Sequence, residues 1–179
     1  MMTHKERLKA FNELLEDNIQ DYDLRAVTKW CIDNRYFTAP ASTKYHGNYP
    51  GGLFDHSYTV ANYLIDLTES EKLEWERPVS PIIVGLFHDL CKVDSYEKDM
   101  NGDYTYNNNM LLKGHGDKSV MILSTLMQLT EEEVMCIRYH MGAFTDKEEW
   151  SDFTRAIHRY PNVLWTHTAD MLAAHIANT

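Results

Sequence analysis

The feature that most constrains this chain is the apolar segment of residues 81–90, which carries a histidine and an aspartate side by side at its end. Ser80 and Pro81 open the segment, and these residue types are favoured at the N-cap and at the first position of a helix. We therefore predict a helix that is apolar on nearly all sides, and such a helix belongs in a core. His88 and Asp89 would end it inside the protein, where a carboxylate needs a partner. Taken alone, this dipeptide fits a satisfied core pair as well as a functional site.

Length and composition predict one globular domain. The chain has 179 residues, 44% of them hydrophobic, which is enough for a sizeable core. We expect the domain core to span about residues 45–177, with residues 1–35 forming helices that cover it. No apolar run approaches the roughly 18 residues that a membrane span needs, and the polar N-terminus is not followed by the apolar core of a signal peptide. Three widely spaced cysteines are typical of reduced thiols. These features predict a soluble, cytoplasmic protein with no membrane partner.

The charge of the chain bears on its partners. The formal net charge is −10, which opposes broad binding to a phosphate backbone and makes long nucleic acid an unfavourable partner. A small anionic substrate remains compatible with this charge if a metal or a local group of lysines supplies positive potential.

Apolar residues at helical spacing predict an all-α bundle. Residues 36–53, rich in Gly and Pro, should form a structured loop. The turn signal at residues 101–103 predicts a small β-hairpin around residues 94–106. Thr130 and Glu133 form a capping-box pattern. The predicted helices cover residues 3–17, 23–34 (with Leu24 on its apolar face), 54–67, 81–90, 115–128, 131–141, 150–158 and the stretch from 161 onward.

Histidines and aspartates recur at comparable places on these successive helices. His56 lies near the start of one, His88 and Asp89 end the next, His115 opens another, His140 lies near the end of another, and Asp170 lies within the last. Helix starts and ends alternate at one rim of an antiparallel bundle, so all six side chains can converge. Four imidazoles and two carboxylates suit one or two divalent transition metal ions, such as iron, manganese, nickel or zinc. Two such ions can clamp a phosphoryl group and lower the pKa of a water between them.

We hypothesise that these ligands divide between two metal ions. Asp89 would bridge the ions through its two carboxylate oxygens. One ion would take His56, His88 and Asp170. The other would take His115 and His140.

The ordered pattern His…His-Asp…His…His…Asp resembles the HD-domain superfamily of metal-dependent phosphohydrolases. The resemblance runs from about residue 45 to 177. Its pieces are Gly51-Gly52-Leu53-Phe54-Asp55-His56-Ser57, Leu86-Phe87-His88-Asp89-Leu90-Cys91-Lys92, Gly114-His115-Gly116, Arg138-Tyr139-His140 and Ala169-Asp170. The Gly-Gly-Leu-x-x-His piece looks most like the HD domains of bacterial 3′–5′ exoribonucleases and their stand-alone relatives. The resemblance implies an all-α HD-domain helical bundle with a mono- or dinuclear metal centre that hydrolyses phosphomonoesters or phosphodiesters.

The chain departs from the family pattern in two respects. Cys91 stands where the family often has glycine in His-Asp-x-Gly-Lys, a change that we expect to leave the ligands alone. The nucleic-acid-binding domain of the exoribonucleases has no counterpart, so processive RNA degradation is not expected.

Further residues near the predicted ligands are candidates for catalysis or substrate binding. Lys92 can neutralise a substrate phosphate, and its alternative is a surface salt bridge. His46 can contact substrate or donate a proton. Arg138 and Lys118 can shape an anion site, although each also fits a solvated charge. We also hypothesise that His167 contacts the metal ligands without binding the metal itself. Tyr96, Tyr104 and Tyr106 would form either a lid over the site or a packed edge.

The function that we expect is hydrolysis of a phosphomonoester or phosphodiester by a metal-activated water, with Asp89, Lys92 and His46 in catalytic roles. The substrate would be a nucleotide or another small phosphorylated molecule. Two alternatives remain open. One is a di-iron oxygenase of the same superfamily, which the ligand set alone does not separate from a hydrolase, and the other is a non-catalytic regulator that binds a nucleotide. Bound iron with oxygen consumption would indicate the first, and tight nucleotide binding without turnover the second.

Overall fold

The fold is known from a computed structural model that describes residues 1–16 and 23–179. The described chain is mostly helical, with one two-stranded antiparallel sheet, so the predicted all-α class with a small hairpin is confirmed. The side chain of Leu24 lies outside the described residues. The helices are α1 (His4–Glu16), α2 (Asp23–Asp33), α3 (Gly52–Glu71), α4 (Ser80–Phe87), α5 (Gly116–Ser124), α6 (Glu131–Arg138), α7 (Trp150–Arg159) and α8 (Asn162–Leu172), and a π-helical turn (Ala173–Ala177) follows α8.

The central helix α4 is shorter than predicted and starts differently. All its residues are buried, as the apolar sequence requires. Val79 occupies the N-cap position, and Ser80 is already helical, with its hydroxyl donating to Glu133 Oε1 at 2.8 Å. The prediction of Ser80 as the N-cap is therefore wrong, because its hydroxyl bonds to another helix. After α4 the chain tightens into a 3₁₀ turn (Leu90–Val93).

Two other helices also end earlier than predicted. The chain after α5 changes to the tighter hydrogen bonds of a 3₁₀ turn, with the amide of Thr125 donating to the carbonyl of Ile122 at 3.1 Å. Helix α6 opens with the predicted capping box of Thr130 and Glu133. It ends at Arg138, so His140 lies just beyond the helix.

Two glycines allow the helices that carry the predicted ligands to approach each other closely. A Cβ at Gly85 of α4 would lie 2.4 Å from the Cα of Ala61 in α3. A Cβ at Gly116, the first residue of α5, would lie 2.2 Å from the carbonyl oxygen of Arg138 at the end of α6. Any larger residue would force these helices apart. The first contact brings together the segments of His56 and His88, and the second those of His115 and His140.

The N-terminal helix α1 is tied to the start of α3 by a buried ion pair. Arg7 Nε and Nη2 donate to the two carboxylate oxygens of Asp55 at 2.7 and 2.8 Å. The hydroxyl of Tyr49 donates to the same carboxylate at 3.0 Å. Phe11 of α1 packs edge-on against Phe37, Phe54 and other rings of the core. Helix α1 thus packs against the core.

The hairpin consists of β1 (Tyr96–Lys98) and β2 (Tyr104–Tyr106), paired antiparallel with Tyr96 opposite Tyr106. Gly102 in its turn has a φ of 88°, which glycine adopts without strain. Tyr96 is buried and Tyr106 is exposed. Among the described helices, none is long and apolar enough to cross a membrane.

Candidate metal centre

The side chains predicted as metal ligands meet at one place in the fold. Their donor atoms form overlapping groups within 4.8 Å of one another. His56 comes from the first turns of α3, His88 and Asp89 from the end of α4, His115 from the N-cap of α5, His140 from the turn after α6, and Asp170 from α8. The structure therefore contains a buried cluster of His, Asp and Cys groups that can hold a metal ion.

One half of the cluster surrounds Oδ2 of Asp89. This oxygen lies 3.7 Å from Nε2 of His56 and 3.5 Å from Nε2 of His88. Asp170 completes the group, because its Oδ1 lies 3.0 Å from Nε2 of His56 and 3.8 Å from Nε2 of His88.

The other half surrounds Oδ1 of the same carboxylate. This oxygen lies 3.0 Å from Nε2 of His115 and 3.5 Å from Nε2 of His140. The two oxygens of Asp89 thus face different pairs of imidazoles. The grouping is the one that the sequence predicts for a bridging carboxylate.

Backbone carbonyls fix the outer nitrogen of three of the imidazoles. Nδ1 of His88 donates to the carbonyl of Gly85 at 2.9 Å, and Nδ1 of His140 to that of Ile137 at 2.7 Å. Nδ1 of His56 donates to the main-chain oxygen of Thr179, the last residue of the chain, at 2.9 Å. Such an oxygen only accepts, so each Nδ1 carries a proton and Nε2 is the nitrogen left to face the centre. Metal-binding histidines are oriented in this way.

The buried polar atoms at the centre fit a bound cation. Nε2 of His56, His88 and His140 and Oδ1 of Asp89 are buried and have no hydrogen-bond partner in the described structure. Buried polar groups without partners are costly. A cation bound between these lone pairs would satisfy all of them, and mixed imidazole and carboxylate donors suit borderline transition metals.

The two aspartates are held in their charged form. Burial alone would raise the pKa of Asp89, but Lys92 and the imidazoles of His88 and His115 outweigh burial and hold that pKa well below its usual range. Burial also opposes ionisation of Asp170, but the close contact with His56 and the nearby imidazoles of His88 and His140 outweigh burial and lower the pKa of this carboxyl. Ionised carboxylates are the form that binds metal.

Lys92 and His46, predicted for catalysis and substrate binding, both lie beside the centre. Lys92 Nζ is 2.5 Å from Asp89 Oδ2, and both side chains are buried. The ring of His46 lies 4.8 Å from the ring of His56, measured between centroids. Burial and the nearby His56 and Lys92 lower the pKa of His46 to about 4. At neutral pH, His46 is therefore uncharged, which favours a hydrogen-bonding role over that of a ready acid.

Arg138 and Lys118 are not brought to the centre. Arg138 Nε lies 2.8 Å from Asp117, and its Nη2 lies 3.4 Å from Glu149. Lys118 is buried against Asp94. Each of these cations faces a carboxylate of its own, and neither lines the cavity over the centre.

His167 is placed behind the centre, as predicted. Its Nδ1 donates to the carbonyl oxygen of His140 at 2.9 Å. This contact ties α8 to the turn that carries His140.

A cavity of about 430 Å³ opens over the centre. Asp89, His115 and Asp170 lie in its wall. The lining also includes Ser42, Tyr45, His46, Lys92, Tyr96, Tyr106, Met110, Met141, Phe144 and Met171. Of the three tyrosines expected to form either a lid or a packed edge, Tyr96 and Tyr106 line this cavity.

Cys91 has a contact that the sequence analysis did not anticipate. Its buried sulfur lies 3.5 Å from Nδ1 of His115, on the side of the ring opposite Asp89. All three cysteines of the chain are free and buried. The only signal in the sequence was the presence of a cysteine where the resembling family often has glycine.

Scans against protein-family models, the curated proteins and the solved structures each find no match to this chain.

Proposed function

We propose that this protein is a metal-dependent phosphohydrolase of the HD type, which cleaves a phosphate ester of a nucleotide or another small phosphorylated molecule. One observation carries the proposal. Asp89 directs one carboxylate oxygen toward His56 and His88 and the other toward His115 and His140. A carboxylate shared in this way is suited to bridge two metal ions. The order of the ligands along the chain, with its resemblance to HD domains, supports the same assignment.

The proposed roles of the chain follow from its geometry. His56, His88 and Asp170 would hold one ion, His115 and His140 the other, and Asp89 both. Metal ions bound there would supply Lewis acidity for the phosphoryl oxygens and a water of lowered pKa. The carbonyls that fix the imidazoles keep these donors in place, which preorganises the site.

Lys92 and His46 would act on the substrate in this proposal. In the described structure Lys92 forms an ion pair with Asp89 Oδ2, an oxygen that a metal ion would also contact. Binding of a metal would therefore weaken the attraction of Asp89 for Lys92 and favour a contact of the ammonium with a substrate phosphate. Neutral His46, beside His56 in the cavity wall, would hydrogen-bond the substrate or the water.

The cavity supports a small substrate. Its volume of about 430 Å³ falls within the range of small-molecule sites. The overall charge of −10 disfavours a long polyanion.

The test is release of phosphate or alcohol from a panel of mononucleotides, cyclic dinucleotides, short oligonucleotides and simple phosphate esters. The purified chain would be tested with Mn²⁺ and, under anaerobic conditions, with Fe²⁺, beside Asp89→Ala. We expect turnover in the wild type and its loss in the variant. His158→Ala, at a histidine remote from the centre, should keep full activity.

Two results would contradict the proposal. Turnover that survives in Asp89→Ala would exclude the proposed centre as its source. Iron-dependent oxygen consumption without hydrolysis would assign the site to an oxygenase.

A further inference from the structure

Aromatic side chains surround the mouth of the cavity over the metal centre. Tyr45, Tyr106 and Phe144 are 81%, 61% and 69% exposed, and all three line the cavity. They come from three separate segments: the loop before α3, strand β2, and the turn after α6. Large aromatic side chains are usually buried. Three exposed rings around one opening therefore suggest a binding site for a ligand that covers them.

Positive charge in this cavity is confined to its inner end. Among the residues that the structure describes, Lys92 is the one lysine or arginine in the lining. It lies next to Asp89, on the wall of the metal centre. The metal centre and Lys92 together can neutralise one phosphoryl group there.

Additional phosphates would find no further lysine or arginine among the described lining residues. Tyr96, Met110, Met141 and Met171 make up much of the apolar part of this lining, and Ser42, Ser95, His167 and His175 are among its polar residues. Anionic groups pressed against the apolar side chains lose hydration without gaining a partner. The cavity therefore disfavours a di- or triphosphate and a phosphodiester chain.

We propose that the ligand of this site is a phosphate monoester of a flat aromatic group, such as an aryl alcohol or a nucleoside. The inference rests on the proposed function. The single phosphoryl group binds at the centre beside Lys92, and the aromatic group stacks on the rim formed by Tyr45, Tyr106 and Phe144. Aromatic side chains stack on any flat ring. The site therefore selects aromatic phosphate monoesters as a class, with little preference among individual bases.

The test uses phosphonates, which bind without being hydrolysed. Calorimetry would compare phenylphosphonate with cyclohexylphosphonate, which has similar size but no aromatic ring, on the metal-loaded chain. We expect phenylphosphonate to bind about tenfold more tightly, a gain typical of one stacked ring. In the double variant Tyr45→Ala/Phe144→Ala, phenylphosphonate and cyclohexylphosphonate should bind with similar affinities. Tyr104→Ala, on the same strand as Tyr106 but outside the cavity lining, should leave the difference intact.

The number of phosphates is tested by competition. AMP and ATP would each displace phenylphosphonate at the same free metal concentration, and we expect ATP to compete no better than AMP. Tighter binding of ATP, equal binding of the two phosphonates, or an undiminished difference in the double variant would each overturn the inference.

These results separate the inference from the proposed function. Selective binding of phenylphosphonate by a chain that hydrolyses no ester would contradict the proposed hydrolysis and uphold the ligand class. Hydrolysis of esters together with equal binding of the two phosphonates would uphold the proposed hydrolysis and contradict the proposed ligand class.

Discussion

Oδ1 of Asp89 lies 3.5 Å from Nε2 of His140, and this nitrogen is buried without a hydrogen-bond partner in the described structure. The proton of His140 is on Nδ1, which donates to the carbonyl of Ile137. In the form of His140 that can bind a metal, Nε2 therefore presents a lone pair to a carboxylate, which is itself only an acceptor. Two acceptors facing each other in a buried place are unfavourable unless a cation lies between them. This pair is the clearest sign that the buried cluster can hold a metal ion.

Metal binding should stabilise the fold. A ligand that binds only the native state at about 100 times its dissociation constant adds about 2.7 kcal/mol to the free energy of unfolding. We expect thermal unfolding of the Mn²⁺-loaded chain at a clearly higher temperature than that of the chelated chain. His140→Ala should lose part of this gain, and His158→Ala none. An unfolding temperature that does not respond to metal would count against a native site.

Metal uptake by the half of the centre around His115 should depend on pH. Burial opposes protonation of His115, but the acidic groups of Cys91 and Asp89 outweigh burial and raise the pKa of His115 to about 9. In the metal-free protein this imidazole is thus protonated at neutral pH, and a metal ion must displace the proton. We call the ion that His115 and His140 would hold the second ion. We expect the affinity for this ion to rise with pH, by about tenfold per pH unit below the pKa of His115.

Calorimetry in buffers of different ionisation enthalpy would measure the proton released on binding of the second ion. His115→Ala provides the comparison, because it removes both the ligand and the proton. Binding of two ions with no proton released near neutral pH would contradict the assignment of His115.

Cys91→Ala should weaken the same half of the centre. The sulfur of Cys91 contacts Nδ1 of His115, where the other three imidazoles have a backbone carbonyl. Loss of a contact that orients a metal ligand typically weakens metal affinity by about 10–100-fold. We expect the second ion to be affected and the first to be retained, as measured by metal titration.

Cys136→Ala is the matched control, because Cys136 is equally buried and belongs to the hydrophobic core. Equal metal affinities in the two cysteine variants would show that Cys91 has no special role.

The ion pair between Arg7 and Asp55 should contribute strongly to stability. Both side chains are 6% exposed, and removal of one partner from a buried pair typically costs about 3–5 kcal/mol. Arg7→Met leaves the charge of Asp55 buried next to His56, so we expect a large loss of unfolding free energy in denaturant titrations. Lys9→Met, at a pair exposed by 73% and 62%, should change it by less than about 0.5 kcal/mol. A small effect of Arg7→Met would mean that water reaches Asp55 readily.

The helices and the order of the candidate ligands could be predicted from the sequence because each signal is local. The capping box of Thr130 and Glu133 and the apolar run of α4 act over a few residues, and both were recognised. Helix ends were less predictable. Helix α5 is shorter than its apolar pattern suggests, because after Ser124 the amide of Thr125 bonds to the carbonyl of Ile122 in a tighter turn.

Contacts between distant segments could not be predicted from the sequence. Nothing near Arg7 indicates that it pairs with a carboxylate 48 residues away. Arg138 and Lys118 were predicted near the site from their position in the sequence, but carboxylates on neighbouring segments hold them elsewhere. The exposed rings of Tyr45 and Phe144 share one cavity only because of the tertiary fold.

The central claim is that Asp89 joins two metal ions into one hydrolytic centre. The most direct measurement is phosphate release as a function of the Mn²⁺ ions bound per chain, starting from metal-free protein. We expect little activity while the first equivalent binds, a steep rise with the second, and no such rise in Asp89→Ala. Full activity with one ion per chain, or none with two, would contradict it.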